Sequence, residues 1–583
     1  MKKTKIVCTL GPATDDINIL RELMLEGMNV ARLNFSHSNY KEQKKRIDNV
    51  KKLREELNLP VAVLLDTKGP EIRIGEFEKG FAVLKEGDLF TLTCDEIKGS
   101  EKQVSISCSL LKDKVARGTD IYINDGNIHL KVENTEGGNI ICKVLNGGKL
   151  TDKKSVNVPG VKLGMKFVSQ KDIDDIKFGI ENGIDYIAAS FTRTAADIID
   201  IKRVLEEYNG TGIQIIAKIE NSEGIENIDE ILKVSDGLMV ARGDMGVEVA
   251  FEEIPRIQKI LIKKAYMSGK KAITATQMLE SMINNPRPTR AETTDVANAI
   301  YDGTSAIMLS GETAVGKYPV LTLQTMVKIA LCTEADINYK KRFKEYEIEK
   351  TKVSDAISHA TVTTAHDLEA SAIITVTKTG TTARMISKYR PSCPIIGCTT
   401  DERVQRQLNL SWGVLPILIE EKSNTDDLFD YAVEKAVETG IIKSGDLVAI
   451  TSGVPLGIPG TTNTLKVHLV GNVLVTGTGI TKKTVIGKLC VCGNEAQAQK
   501  DFEDGDILVI PETSNNIMGL LKKAGGIITE SGGFSSHAAV VGLTLDIPVI
   551  CGAPYASKIL KTGTTVTMDA TRGLVYSGKM NKI

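Results

Sequence analysis

Aromatic residues are scarce in this chain, 4% of 583 positions with a single tryptophan, and no apolar stretch is long. None approaches the roughly 20 residues that span a bilayer. The opening run, MKKTKIVCTLGP, is also far too short for a signal peptide. A membrane partner is therefore not expected. Charge of one sign is missing too: 73 Lys and Arg face 74 Asp and Glu, a net of −1. That balance gives no reason to expect nucleic acid as the main partner. The six histidines are dispersed, which argues against a histidine-based metal site. The ten cysteines are scattered, and the one close pair, Cys490 and Cys492, lacks the second pair that a zinc site requires. Reduced thiols in a cytoplasmic setting are expected. What remains, 42% hydrophobic and 25% charged residues, is ordinary for a soluble α/β protein. The length calls for several cores.

A buried parallel strand reads as a continuous apolar run, with polar residues only where it emerges at a loop. Eight such runs occur: KIVCTLGP from Lys5, NVARLNFS from Asn29, VAVLLDTKG from Val61, DYIAASFT from Asp185, QIIAKIEN from Gln214, GLMVARGD from Gly237, KAITATQM from Lys271 and AIMLSGET from Ala306. Helical segments separate most of them. Eightfold strand–helix alternation predicts a closed (β/α)₈ barrel at 1–68 and 169–338, with its active site at the C-terminal strand ends. An open doubly wound sheet is the alternative, but GPATDD after the first run is not a dinucleotide turn.

Residues 69–168 break the pattern. LFTLT, KQVSIS, DIYINDGNIHLKV and NIICKVL alternate or are β-branched, and Asn124-Asp125-Gly126-Asn127 reads as a hairpin turn. A small β domain inserted in a βα loop stands over the barrel mouth as a lid. A second α/β domain follows at 339–472, beyond the charged segment from Asn338. In it, Thr377, Lys378, Thr379, Gly380, Thr381 and Thr382 precede a helix, either as an anion site or as ordinary threonine capping. Residues 473–583 form a third α/β or α+β region, whose only histidine after a Gly- and Ser-rich loop is His537. GETAVGKY, from Gly311, nearly matches a phosphate loop. Tyr318 replaces the required Ser or Thr and Pro319 disfavours helix before it, so that reading is rejected.

The polar residues at the strand ends are Arg32, Asn34, Ser36, Asp66, Thr67, Glu71, Arg73, Lys218, Glu220, Arg242, Asp244, Thr276, Ser310 and Glu312. Cations and carboxylates in comparable number suit an anionic, metal-bound ligand such as an organic phosphate, and phosphoryl transfer needs this equipment. Lys218 and Glu220, two apart on one strand, point the same way. Glu220 and Asp244, from neighbouring strands, suit a hard divalent cation.

RLNFSH, LDTKGPEIR, AKIEN, MVARGD, ATQMLESM, PRPTRAE, DVANA and MLSGET, in this order, closely resemble the pyruvate kinase family. The resemblance implies transfer of a phosphoryl group from phosphoenolpyruvate to ADP, giving pyruvate and ATP, in a cytoplasmic homotetramer. It implies that Glu220 and Asp244 hold Mg²⁺ (or Mn²⁺) and that Lys218 stabilises the moving phosphoryl group and the enolate. Arg32 and Arg73 would grip phosphate, and Thr276 with the backbone of Gly243 and Asp244 would hold the substrate carboxylate. Thr276 or a water near Ser310 are the candidates for protonating the enolate. Asn34, Ser36, Asp66 and the Thr67 carbonyl match the family's K⁺ site, and Glu71 is the residue type tied to K⁺ dependence. Lys154, Pro12, His37 and Tyr40 correspond to nucleotide contacts. The insertion resembles the family's small β-barrel lid, and the second α/β domain its effector domain, with the 377–382 loop as a site for a phosphorylated metabolite. The tail resembles the extra C-terminal domain of some bacterial members, and the swivelling phosphohistidine domain of phosphoenolpyruvate-utilising enzymes. A structural or interface role is expected for His537. Two other readings stand beside this one: a catalytically retired sugar-phosphate sensor, and a lyase or aldolase with Lys218 as a Schiff base.

Overall fold

The computed structural model describes residues 1–36, 39–345, 352–422, 424–453, 462–471 and 473–578. The eight apolar runs form strands β1 (Lys5–Thr9), β2 (Val30–Asn34), β3 (Ala62–Asp66), β4 (Tyr186–Ala189), β5 (Gln214–Ile219), β6 (Gly237–Ala241), β7 (Lys271–Ala275) and β8 (Ala306–Leu309). All pair in parallel with their sequence neighbours, and β8 returns to β1 to close the barrel. The runs are continuously apolar because both faces of every strand are covered. Val7, Leu64, Tyr186, Ile216, Met239, Ile273 and Met308 fill the inside of the ring. Alternate residues such as Ile6, Val63, Ile187, Ala217 and Leu238 pack outward under the helices. This two-residue alternation orients the site. Ile216 faces inward, so Lys218, two residues further, does too, one layer higher.

The helices are delimited by local chemistry. Asn39 accepts from the Glu42 N–H to start Tyr40–Leu57, and Asn58 ends it with φ 50°. Ser169 and Asp172 form a capping box where the chain re-enters the barrel at Gln170–Glu181. Gly311–Ala314 is a single helical turn and Pro319 opens the helix Pro319–Asp336, so the GETAVGKY segment does not wrap an anion as a phosphate loop does.

The insertion is a seven-stranded sheet with a separate two-stranded ribbon, Phe81–Leu84 with Gly148–Thr151. It is not continuously closed. Its edge strands Ile72–Arg73 and Gln103–Ser105 approach where Ser107 N–H donates to Arg73 O (2.9 Å) and Ile74 bridges Ile106, rolling the sheet toward a barrel. The expected hairpin joins Asp120–Ile123 to Ile128–Glu136. Its turn carries φ 57°, 55° and 82° at Asn124, Asp125 and Gly126, which is why Asn, Asp and Gly stand there.

The chain divides into two compact units: residues 1–363 with 375–425 and 451–464, and residues 364–374 with 426–450 and 465–583. The division runs within the second α/β region, where Ala372–Val376 and Leu447–Gly453 each have residues in both units. Five strands form in that region: Ala372–Val376, Ile395–Thr399, Val414–Leu418, Leu447–Gly453 and Thr462–Leu469. The second unit holds an eight-stranded mixed sheet running from Val473–Thr476 at one edge to Thr478–Gly479 at the other. Among the described residues no helix is long and apolar enough to cross a membrane.

Candidate active site

Four charged side chains meet inside the C-terminal mouth of the barrel. Asp66, at the end of β3, takes Arg32 Nε (2.7 Å) and Nη2 (2.6 Å) on one carboxylate oxygen. Its other oxygen faces Lys218 Nζ at 3.2 Å, and Lys218 in turn lies 2.9 Å from Glu220 Oε1. The group is buried: Asp66 is 1% exposed and Glu220 0%. Two cations balanced by two carboxylates are tolerable there because each charge has an opposite neighbour. Burial alone would lower the Lys218 pKa, but the Asp66 and Glu220 carboxylates outweigh it and raise it, so the ammonium persists. Burial would raise Asp66, yet Lys218 and Arg32 hold it below the usual carboxylate range. Glu220 is pushed up by burial and by the Asp244 charge, against the pull of Lys218. Its Oε2 accepts the Phe191 N–H (2.5 Å), whereas Oε1 meets Lys218 as a charge contact with no directed hydrogen bond.

One member of this cluster was missed in the sequence. Ser190, at the end of β4, accepts from Lys218 Nζ (2.8 Å) and lies 3.0 Å from Asp66 Oδ1 and 2.7 Å from the Thr67 carbonyl. It ends an apolar run at a polar residue, the same signal that marked the other strand ends. Beside it Phe191 sits at φ 56°, a left-handed value that aims its N–H at Glu220.

The β7 exit is held differently. Thr276 and Gln277 are successive left-handed residues, φ 69° and 54°, at a cost of about 1–3 kcal/mol each. Thr276 Oγ1 accepts the Gly243 N–H (2.8 Å) and donates to Ala275 O (2.6 Å). The Gly243 N–H thus meets the Thr276 hydroxyl at the start of the short helix Arg242–Glu248. Arg242 does not face the Lys218 cluster; its guanidinium pairs with Asp295 (2.7 Å). Glu312 is buried and accepts N–H groups from Leu279 (3.1 Å) and Ser310 (2.7 Å), tying the last two βα loops together. The Ser310 hydroxyl is buried and has no hydrogen-bond partner among the described residues.

Asp244 lines a cleft of about 180 Å³ between barrel and insertion, with Glu71, Asn157, Phe191, Asn221 and Glu248. Lys218, Glu220 and Arg32 are not on its wall. Asn34 lies beside Asp66 in the β2–β3 register, and its Oδ1 accepts the Ser36 N–H (2.9 Å). Arg73 donates to Glu71 (2.8 Å) and to Lys153 O (2.8 Å). Lys154 is half-buried, and its carbonyl accepts the Ile74 N–H (2.9 Å). Pro12 is exposed at the start of a short 3₁₀ turn. Tyr40 stacks on Phe178 (4.8 Å) and donates to Asp175 (2.7 Å). His37 lies outside the described residues. Among the described residues no group of three or more His, Cys, Asp or Glu side chains is gathered to hold a metal.

In the loop before the helix Thr381–Lys388 the cap is Gly380 (φ 76°), so threonine capping is not what these residues do. Thr379 and Thr381 hydroxyls meet at 2.9 Å, Thr382 pairs with Thr462 at 2.8 Å, and Arg384 grips Thr379 O and Thr381 Oγ1, both at 3.0 Å. Thr377 donates its N–H to Cys398 O, and Lys378 is 3.5 Å from Glu421. In the second unit His537 has both ring nitrogens engaged, Nδ1 with Thr513 (2.9 Å) and Nε2 with Asn515 (3.0 Å). The ten cysteines are all free thiols.

Family models match this architecture in order: pyruvate kinase, barrel domain, over residues 1–323; pyruvate kinase, alpha/beta domain, over 355–468; and the mobile domain of PEP-utilising enzymes over 502–573. The chain belongs to the pyruvate kinase family. It is therefore a phosphotransferase by family, of the form that carries a C-terminal PEP-utilising domain. Curated pyruvate kinases of Geobacillus stearothermophilus, Bacillus licheniformis and Sporosarcina psychrophila are 50%, 49% and 47% identical to it, each over 99% of both chains.

Proposed function

We propose that this pyruvate kinase family member transfers the phosphoryl group of phosphoenolpyruvate to ADP, and that the Arg32–Asp66–Lys218–Glu220 cluster is the centre of that chemistry. The observation that carries the reading is the Lys218 ammonium, held inside the barrel mouth 2.9 Å from Glu220 and 3.2 Å from Asp66. In the reaction a β-phosphate oxygen of ADP bonds to phosphorus as the bond from phosphorus to the enol oxygen breaks. The electron pair left on that oxygen makes an enolate, which takes a proton on carbon to become pyruvate. A fixed ammonium compensates charge that grows on the transferring group and on the enolate, and it costs no reorganisation. Arg32, oriented by Asp66, and Arg73, oriented by Glu71, supply forked donors for phosphate oxygens. Thr276 and the Gly243–Asp244 backbone orient the carboxylate end. Thr276, or a water at the buried Ser310 hydroxyl, would carry the proton to the enolate carbon.

Glu220 and Asp244 fit Mg²⁺ or Mn²⁺: they end neighbouring strands, and Glu220 keeps an oxygen without a directed hydrogen bond. When bound, the cation would supply charge neutralisation at the substrate oxygens. Asn34, Ser36, Asp66 and the Thr67 carbonyl, all oxygen donors, are assigned to K⁺. Lys154, Pro12, His37 and Tyr40 are assigned to ADP, and the 377–382 loop to a phosphorylated allosteric effector. A cytoplasmic homotetramer follows by resemblance to the family.

A coupled assay of pyruvate formation from phosphoenolpyruvate and ADP, with and without Mg²⁺, K⁺ and sugar phosphates, tests the whole reading. Turnover that needs Mg²⁺ and rises with K⁺ is expected. Absence of turnover under any of these conditions would favour the retired sensor, and full activity without K⁺ would remove the monovalent site.

A further inference from the structure

The φ and ψ angles of Thr276 are the rotations between the two peptide planes that flank its Cα. Both planes are gripped by one side chain. Arg242 donates through Nε to Ala275 O (3.3 Å) and through Nη2 to Thr276 O (2.7 Å), the carbonyls of the peptides before and after Thr276. Its remaining edge is anchored: Nη1 reaches Asp295 Oδ1 (2.7 Å) on the helix Arg290–Asp302 and Gln258 Oε1 (3.4 Å) on Ile254–Met267. Thr276 is β-branched and held at φ 69°, a conformation such residues adopt only when their surroundings impose it. The residue following Arg242, Gly243, adds its N–H to the Thr276 hydroxyl at 2.8 Å. One dipeptide, Arg242-Gly243, therefore fixes both the backbone and the side chain of Thr276.

We infer that Arg242, oriented by Asp295, is a positioning residue that acts on the reaction through Thr276, locking it in the left-handed conformation that keeps its side chain against the Gly243 N–H at the carboxylate end of the substrate. The inference rests on the reading of Thr276 given above. It also accounts for an arginine at a strand end that does not turn toward the Lys218 cluster. A lysine cannot replace it, because one point-like ammonium cannot hold two carbonyls and a carboxylate in a single plane.

The test uses the full chain and steady-state kinetics for both substrates. Arg242→Lys should raise the KM for phosphoenolpyruvate about tenfold and lower kcat/KM with it, while the KM for ADP stays within about twofold. Asp295→Asn should shift the same constant in the same direction by less, and it provides a milder variant should Arg242→Lys fold poorly. If Arg242 acts through Thr276, then in a Thr276→Ala background Arg242→Lys should change kcat/KM by less than about twofold. Equal movement of both KM values, or effects that multiply in the double variant, would overturn the inference while leaving phosphoryl transfer intact. A wild-type chain without turnover would instead remove the reading on which it rests.

Discussion

Replacing Ser190 with alanine would separate the position of Lys218 from its charge. The substitution removes one hydroxyl from a site with 2% exposure and leaves both ion pairs of Lys218 in place. What disappears is the 2.8 Å acceptor on the ammonium, together with the link from that acceptor to Asp66 and to the Thr67 carbonyl. A hydrogen bond to a charged group contributes about 1.5–3 kcal/mol. At 1.36 kcal/mol per decade, losing all of it in the transition state slows turnover by roughly one to two orders of magnitude. The assay is kcat and both KM values in the coupled reaction, with thermal melting to confirm that the fold persists. We expect kcat to fall by about tenfold or more, with the KM for ADP unchanged, and Ser190→Thr to recover part of the loss. A kcat within about twofold of wild type would refute the idea that Ser190 aims the ammonium.

Other outcomes follow from the same geometry. Thr276→Ala removes the acceptor of the Gly243 N–H, and the KM for phosphoenolpyruvate should rise about tenfold; an unchanged value would separate Thr276 from the substrate. Borohydride with pyruvate should leave Lys218 unmodified, because its ammonium is committed to Asp66 and Glu220; a mass increase on that residue would revive the aldolase reading. Chelation by EDTA should abolish turnover and added Mg²⁺ restore it, whereas residual activity in EDTA would exclude the Glu220–Asp244 cation site. Lys5 is buried, with Nζ on Val414 O at 2.6 Å, and burial, opposed by Glu334, lowers its pKa to about 8. Below that value the folded state carries a buried charge at a cost of about 3 kcal/mol, and the cost fades as pH rises from 8 toward the unfolded pKa near 10.4. Lys5→Met should therefore melt above wild type at pH 7 by a margin that narrows toward pH 10, and a constant margin would contradict the assignment.

The barrel was legible because its signal is local and repeated. Each strand announces itself by an apolar run with a polar end, and eight such runs in order leave few topologies. Lys218 and Glu220 were placed on one face by spacing alone, since a strand alternates with period two. The lid could be read as a β module from its alternation and its Asn-Asp-Gly turn. Its incomplete closure could not be read, because it depends on how far two distant edges curl toward each other. The direction of a long side chain was equally hidden. Arg242 and Lys218 both end strands, yet one enters the charged cluster and the other turns to Asp295.

The chain by itself determined the order of strands, the residue types at the barrel mouth and membership of the family. Only the tertiary structure decided that Asp66 is the hub between Arg32 and Lys218, that Ser190 belongs with them, and that Thr276 is held from behind by Arg242. Those facts depend on which side chains from strands far apart in sequence share one buried volume, where each charge must find its opposite. Short-range periodicity carries no information about that pairing.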